Sequence, residues 1–375
     1  MTGRFGAAVS EHPLLTHATG EVVGQVLDQV GEAPDIAILF ATGPTTGALE
    51  DVCDAVRSIL APTTFLACTA VSIIGNQREV ENVPAISLWA GRIDDATAVR
   101  LVADRQGDGW AISGFPAGIE RGTLVLLADP FSVPVDGLLH HLHQIAPDLV
   151  VVGGLASASG VPMGNRVALN GELVANGAVG VIVPEGATRT IVSQGCRPLG
   201  DPFTVTRVQH NLIGELGGRP ALERLEEIMG AADEGTRALA KQGLHIGTVV
   251  NEQAVDFGRG DFLIRAVVGV DRDTGAVAVG DHVQLGQTVQ FQIRDAASAD
   301  EDLSKLLEGK SAAGALLFTC NGRGTNMFAE ADHDAALIHE ALHAPLAGMF
   351  CAGEIGPVGS RNYLHGFTAS IVLFD

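Results

Sequence analysis

Three stretches of the chain order their apolar and polar positions in the same way. The first runs "DIAILFATGPTTG", then "ALEDVCDAVRSIL", "TTFLACTAVSIIG" and "PAISLWAGRI". The second runs "GTLVLLADPFSVP", "VDGLLHHLHQI", "PDLVVVGGLASASG" and "GAVGVIVPEG". The third runs "GALLFTCNGRGTNMF", "DHDAALIHEAL", "LAGMFCAGEIGPVG" and "TASIVLFD". Each predicts an apolar strand, a polar or Gly/Pro loop, an amphipathic helix, a second apolar strand, a glycine-rich link and a third strand. Short continuous apolar runs suit strands buried by helices on at least one face. A strand, a helix and a strand of these lengths make a right-handed parallel crossover. The third strand follows a short link and is expected to return antiparallel. The expected class is therefore mixed α/β, with repeated strand-helix-strand-strand units in mixed sheets covered by helices.

Between these units the pattern changes. "QGCRPLGDPFTVTRVQHNLIGEL" reads as short strands and turns, with Thr204, Val205, Thr206 and Val208 favouring extended chain. "PALERLEEIMGAADEGTRALAKQG" reads as the longest polar helical stretch, with Pro220 near its first turn. "FLIRAVVGVDRDTGAVAVGDHVQLGQTVQFQIRD" reads as a meander turning at "DRDTGA". The helical stretch marks the passage between two halves, residues 1–218 and 219–375.

Composition narrows the function classes. Hydrophobic residues make up 46% of the chain and charged residues 18%, which suits a folded protein with wide buried sheets. No apolar run reaches the roughly eighteen residues of a membrane span. The N-terminal apolar stretch is broken by Ser10, Glu11 and His12, so a cytoplasmic protein is expected. A formal charge of −21 and only three lysines (Lys241, Lys305 and Lys310) argue against nucleic acid. Five scattered cysteines without a C-x-x-C pair argue against a disulfide framework or structural zinc site.

Several motifs carry candidate chemistry. "HEALH" (His339, Glu340, His343) satisfies H-E-x-x-H, which on a helix offers two zinc ligands and a glutamate base. Leu337, Ile338, Ala341 and Leu342 occupy the opposite face and Pro345 follows closely, which suits an exposed helix face better. "HHLH" (His140, His141, His143) lacks an adjoining Cys or acid and reads as a partly exposed helix. Ser157 and Ser159 of "GLASASG" have no visible His/Asp partner, so a strand end of small residues explains them as well.

"TCNGRG" follows a strand directly, where α/β sheets present ligand contacts. Arg323 there either clamps an anion with its planar fork or serves a turn by pairing with a local acid. "CAGEIGPVGSRNYLHGF" is the matching link after the next strand. In the first stretch the positions matching Gly353 and Glu354 are Ala70 and Val71, so the carboxylate is special to the third. Glu354 is therefore a better functional candidate than Cys351, which reads as buried packing.

The segments "GAVGVIVPEG", "SQGCRPLGDPFTVT", "NLIGELGGRPALERL", "FTCNGRG" and "GMFCAGEIGPVGSRNYLHGFTASIVLF" resemble those of FIST (F-box and intracellular signal transduction) proteins. The resemblance spans an N-terminal and a C-terminal FIST domain, in a stand-alone form with no appended output domain. It implies an intracellular, non-catalytic sensory module that binds an amino acid or related polar metabolite and acts through a signalling protein partner. The expected ligand-binding residues are Asn321, Arg323, Gly324, Gly353, Glu354 and His365, with Arg323 and Glu354 as a charged pair. No cofactor is expected. The alternatives are a haem-binding nitric-oxide sensor with His365 as axial ligand, and a metal-dependent hydrolase using His339, Glu340 and His343. Chemistry at Cys320 or Cys351 is a further enzymatic alternative.

Overall fold

A computed structural model describes residues 4–107, 109–174, 177–254 and 257–375. The chain divides into two compact units, one of residues 1–192, 304–364 and 368–375, the other of residues 193–303 and 365–367. The boundary expected at Gly218 falls inside the second unit. No helix among the described residues is long and apolar enough to cross a membrane.

The first unit opens with β1 (Phe5–Ser10), α1 (Leu15–Val30), β2 (Ile36–Thr42), α2 (Leu49–Leu60), β3 (Thr64–Ala70), β4 (Ser72–Gly75), β5 (Arg78–Glu81) and β6 (Ile86–Gly91). It continues through β7 (Thr97–Gln106), β8 (Gly109–Ser113), β9 (Arg121–Ala128), α3 (Val135–Ile145), β10 (Asp148–Leu155), β11 (Val167–Leu169), β12 (Glu172–Leu173), β13 (Ala178–Val183) and β14 (Thr188–Gln194). The second unit holds β15 (Cys196–Gln209), β16 (Leu212–Leu216), β17 (Arg219–Pro220), α4 (Ala221–Ala231), α5 (Glu234–Gln242), β18 (Leu244–Val249), β19 (Phe262–Asp271), β20 (Ala276–Val279) and β21 (Thr288–Arg294). After α6 (Ala296–Leu307) come β22 (Gly314–Cys320), α7 (His333–Leu342), β23 (Leu346–Cys351), β24 (Glu354–Val358), β25 (Arg361–His365) and β26 (Thr368–Phe374).

Three mixed sheets of the first unit share one plan. The parallel pairs β2/β3, β9/β10 and β22/β23 each take a helix as crossover. The returning strands β6, β13 and β26 lie antiparallel beside the first strand of each pair. The glycine-rich links, read from the sequence as plain connections, instead contain hairpins that join a different sheet. β11–β12 flanks β3, β24–β25 flanks β10, and β4–β5 flanks β23. Such exchange satisfies strand edges that would otherwise be open to pairing with another chain.

Burial explains the sequence pattern. β2 (IAILFAT) and β3 (TFLACTA) are buried at every position because one face meets helices and the other meets a second sheet. Ala18, Val22, Val26 and Val30 of α1 and Val52, Val56 and Leu60 of α2 cover the outer face of the first sheet. On the inner side, Phe40, Cys68, Val125, Leu127, Val152, Phe318, Met349 and Cys351 share one core drawn from all three sheets. Phe40 and Phe318 meet edge to face at 6.2 Å. At Gly153 (φ 151°) an added Cβ would lie 1.9 Å from the Leu126 carbonyl oxygen of the neighbouring strand, so no larger residue fits.

In the second unit the strand order is β15-β21-β18-β19-β20-β16-β17, and an additional pairing of β15 with β16 closes the ring. Leu199, Val205, Ile213, Ile246, Val277, Val279, Val289, Phe291 and Ile293 form its core. The meander and its turn are as the sequence predicts. The long polar helix is broken into α4 and α5, because the Asp233 side chain accepts from Thr236 N at 2.7 Å and starts a new helix.

Candidate functional site

β22 ends at Cys320, and the chain turns tightly before α7. Arg323 N donates to Cys320 O at 2.9 Å and Phe328 N to Gly324 O at 2.8 Å. Gly324 has φ 57°, and an added Cβ would come within 2.7 Å of Glu81 and 2.8 Å of the Phe350 ring. The turn buries the Arg323 side chain completely and leaves Asn321 exposed.

Arg323 is held by Asp334, a residue of the first turn of α7 that sequence reasoning did not single out. Nε donates to Asp334 Oδ2 at 2.7 Å and Nη2 to Oδ1 at 2.8 Å, and both side chains are 0% exposed. Thr319 Oγ1 donates to Oδ2 at 3.1 Å, and His333 Nδ1 lies 3.1 Å from Oδ1. The guanidinium also lies 5.2 Å from the centroid of the Phe328 ring, which stacks on His333 at 3.5 Å. Burial alone would raise the Asp334 carboxyl, but Arg323 and His333 hold it well below the usual range. Of the two readings of "TCNGRG", the arginine paired with a local acid is the one observed.

Two further carboxyls adjoin this pair. Glu79, on the β5 hairpin, accepts from Ala335 N at 3.0 Å through Oε1, while its Oε2 has no partner. Burial and the neighbouring Asp334 charge push it up to about 8. Glu354 Oε2 accepts from Thr368 N at 3.1 Å and Thr368 Oγ1 at 2.9 Å. Burial pushes Glu354 up to about 8 as well, against the pull of those bonds, of Arg323 and of the adjacent Cys320 thiol. Oε1 itself meets no partner in hydrogen-bond geometry.

Burial thus favours the neutral form of Glu354, in which the carboxyl can donate. Arg323 Nη1 is a second buried donor without a partner. An acceptor such as a carboxylate suits Arg323 Nη1 and the neutral form of Glu354.

The remaining expected residues are placed as follows. Gly353 is buried, with Leu364 and Leu155 side chains filling the space a Cβ would need, at 2.9 and 3.2 Å. His365 belongs to the second unit, is 3% exposed and already has an interaction partner. At 3% exposure the His365 ring is closed off by its own packing, and an axial haem ligand would require that packing to open. Cys351 is fully buried and its thiol is raised by burial and Glu354, which suits packing. In "HEALH" the helix stops at Leu342, and His343 takes a left-handed conformation (φ 50°) outside it, so the i,i+4 helical pairing is lost. No group of three His, Cys, Asp or Glu among the described residues is arranged to hold a metal ion. Ser157 is a structural link, its Oγ accepting from Val71 N at 3.0 Å and donating to Phe350 O.

Comparison with known proteins matches residues 35–219 to the FIST N domain and residues 221–357 to the FIST C domain. An uncharacterized protein of Mycobacterium bovis is 42% identical over 380 aligned residues, covering 99% of this chain and 98% of its own. An uncharacterized protein of Mycobacterium tuberculosis is 41% identical, with 99% of both chains covered.

Proposed function

The chain belongs to the FIST family, whose domains are sensory domains of signal transduction, and from that premise we propose that it senses a small polar metabolite without transforming it. The ligand is a carboxylate, an amino acid or a close relative, and the signal passes to a protein partner. One observation carries this reading: Arg323 Nη1 and Glu354 Oε1 are both buried with no hydrogen bond that meets normal geometry, and Arg323 acts electrostatically on Glu354. A ligand carboxylate accepting from both would satisfy two groups whose isolation costs about 1–3 kcal/mol each. Asp334 keeps the guanidinium charged and oriented while Nη1 stays available. Entry requires the loop of residues 321–328 to lift, which couples binding to a movement a partner can read.

A thermal-shift screen of amino acids and related carboxylates tests this. A stabilising compound is expected to lose its effect in Glu354→Ala and to keep it in Glu354→Gln, whose amide is a neutral donor like the protonated acid. Stabilisation that survives unchanged in Glu354→Ala would refute the assignment.

A further inference from the structure

The histidines of "HHLH" and the "SRNY" segment, which the cluster above does not use, come together elsewhere in the first unit. A pocket of about 230 Å³ is lined by Asp136, Leu139, His140 and His143 of α3 and by Arg361, Asn362 and Tyr363 of β25. From this geometry we infer that the pocket binds the oxyanion of a small metabolite, a phosphate or carboxylate, at a site separate from Arg323 and Glu354.

The framework of the pocket is fixed on both sides. On α3, residues 136, 140 and 143 share one helical face by their spacing. On β25, Arg361 and Tyr363 alternate with Asn362 and point to the same side of the strand. Asn362 is a clamp: its Oδ1 accepts from Val151 N and its Nδ2 donates to Leu149 O, both at 2.8 Å. These bonds hold β25 against β10 beyond Gly153 and Gly154, where the β24 ladder stops.

The chemistry of the wall favours an anion. Arg361 supplies a permanent positive charge and a planar fork matched to phosphate or carboxylate. Gln144 Nε2 lies 3.0 Å from His140 Nε2, one helical turn away, and holds the ring beside the pocket. His143 Nδ1 is buried without a partner, and Tyr363 adds a hydroxyl. Asp136 is the one acid of the wall and already has a partner. The volume lies below the range of drug-sized ligands, which selects a small molecule.

Tyr363 is the only tyrosine of the chain, so its ring signals report on this pocket without ambiguity. Inorganic phosphate and, separately, acetate are titrated into the full chain at constant ionic strength while the Tyr363 ring resonances are followed by NMR. A saturable shift is expected with at least one anion, and which one identifies the head group. Arg361→Gln is expected to move the midpoint at least tenfold upward, and His140→Asn to move it in the same direction. Arg361 is exposed, so the melting temperature is expected to stay unchanged in its variant. Tyr363 resonances that stay still with both anions, or midpoints unchanged in Arg361→Gln, would overturn the inference.

Discussion

Asp334→Asn tests the energetic centre of the candidate site. The substitution keeps the shape of the side chain and removes its charge from beside a guanidinium that is 0% exposed. Two charge-assisted bonds of 2.7 and 2.8 Å lose their ionic character, and Arg323 is left as an uncompensated buried cation. Removing one partner of a buried ion pair costs about 3–5 kcal/mol, because the desolvation of the other is no longer offset. The pair is fully enclosed, so solvent screening does not reduce this figure. The exposed pair Arg78–Glu11, with side chains 54% and 41% exposed, provides an internal control expected to change stability by less than about 1 kcal/mol in Glu11→Gln. Urea unfolding of the wild type and both variants measures the difference. A loss below about 1 kcal/mol in Asp334→Asn would mean that the cluster is hydrated and the argument for a dry, orienting ion pair is wrong.

Three other outcomes follow from the same physics. Burial pushes Glu354 up to about 8 from an ordinary 4.5, so the unfolded state is expected to lose its proton first and stability to fall as pH rises from about 4.5 to about 8; urea unfolding across this window should show a shallower fall in Glu354→Gln. His245, pushed down to about 4 by burial and by Arg294, gives the opposite slope: the unfolded state takes up the proton first, so stability is lost as pH drops from about 6.5 to about 4. Unfolding of the second unit, followed at pH 4.5 and 7, should lose this dependence in His245→Gln. Gly153→Ala forces a Cβ against the Leu126 carbonyl oxygen and should cost at least about 1–3 kcal/mol in chemical unfolding, with no effect from Gly186→Ala attributable to crowding, since nothing lies within 4 Å of that Cβ.

The strands and helices of the first unit were legible because each is a short apolar run or an amphipathic segment with clear punctuation. β2, β9 and β22 could be read from "IAILF", "LVLLA" and "ALLFTC" alone. The destination of the hairpins was not legible, since pairing of β4 with β23 joins residues more than 270 positions apart and no local pattern encodes it. For the same reason Glu79 escaped notice: β5 looks like an ordinary link until the fold carries it to α7. Asp334 had a weak signal, an acid in the first turn of a helix eleven residues after an arginine that needed a partner. Glu354 stands out on comparing equivalent links, but its raised carboxyl was not legible, because the shift comes from complete burial. The split of α4 from α5 had a readable cue in Asp233, a good N-cap residue inside a polar run.

The central claim is that a small carboxylate binds between Arg323 and Glu354 under the loop of residues 321–328. Hydrogen–deuterium exchange with and without a stabilising amino acid tests it most directly. Slower exchange is predicted in peptides covering residues 319–335 and 351–358, with the change lost in Glu354→Ala. Protection confined to other segments, with these two unchanged, would contradict the account.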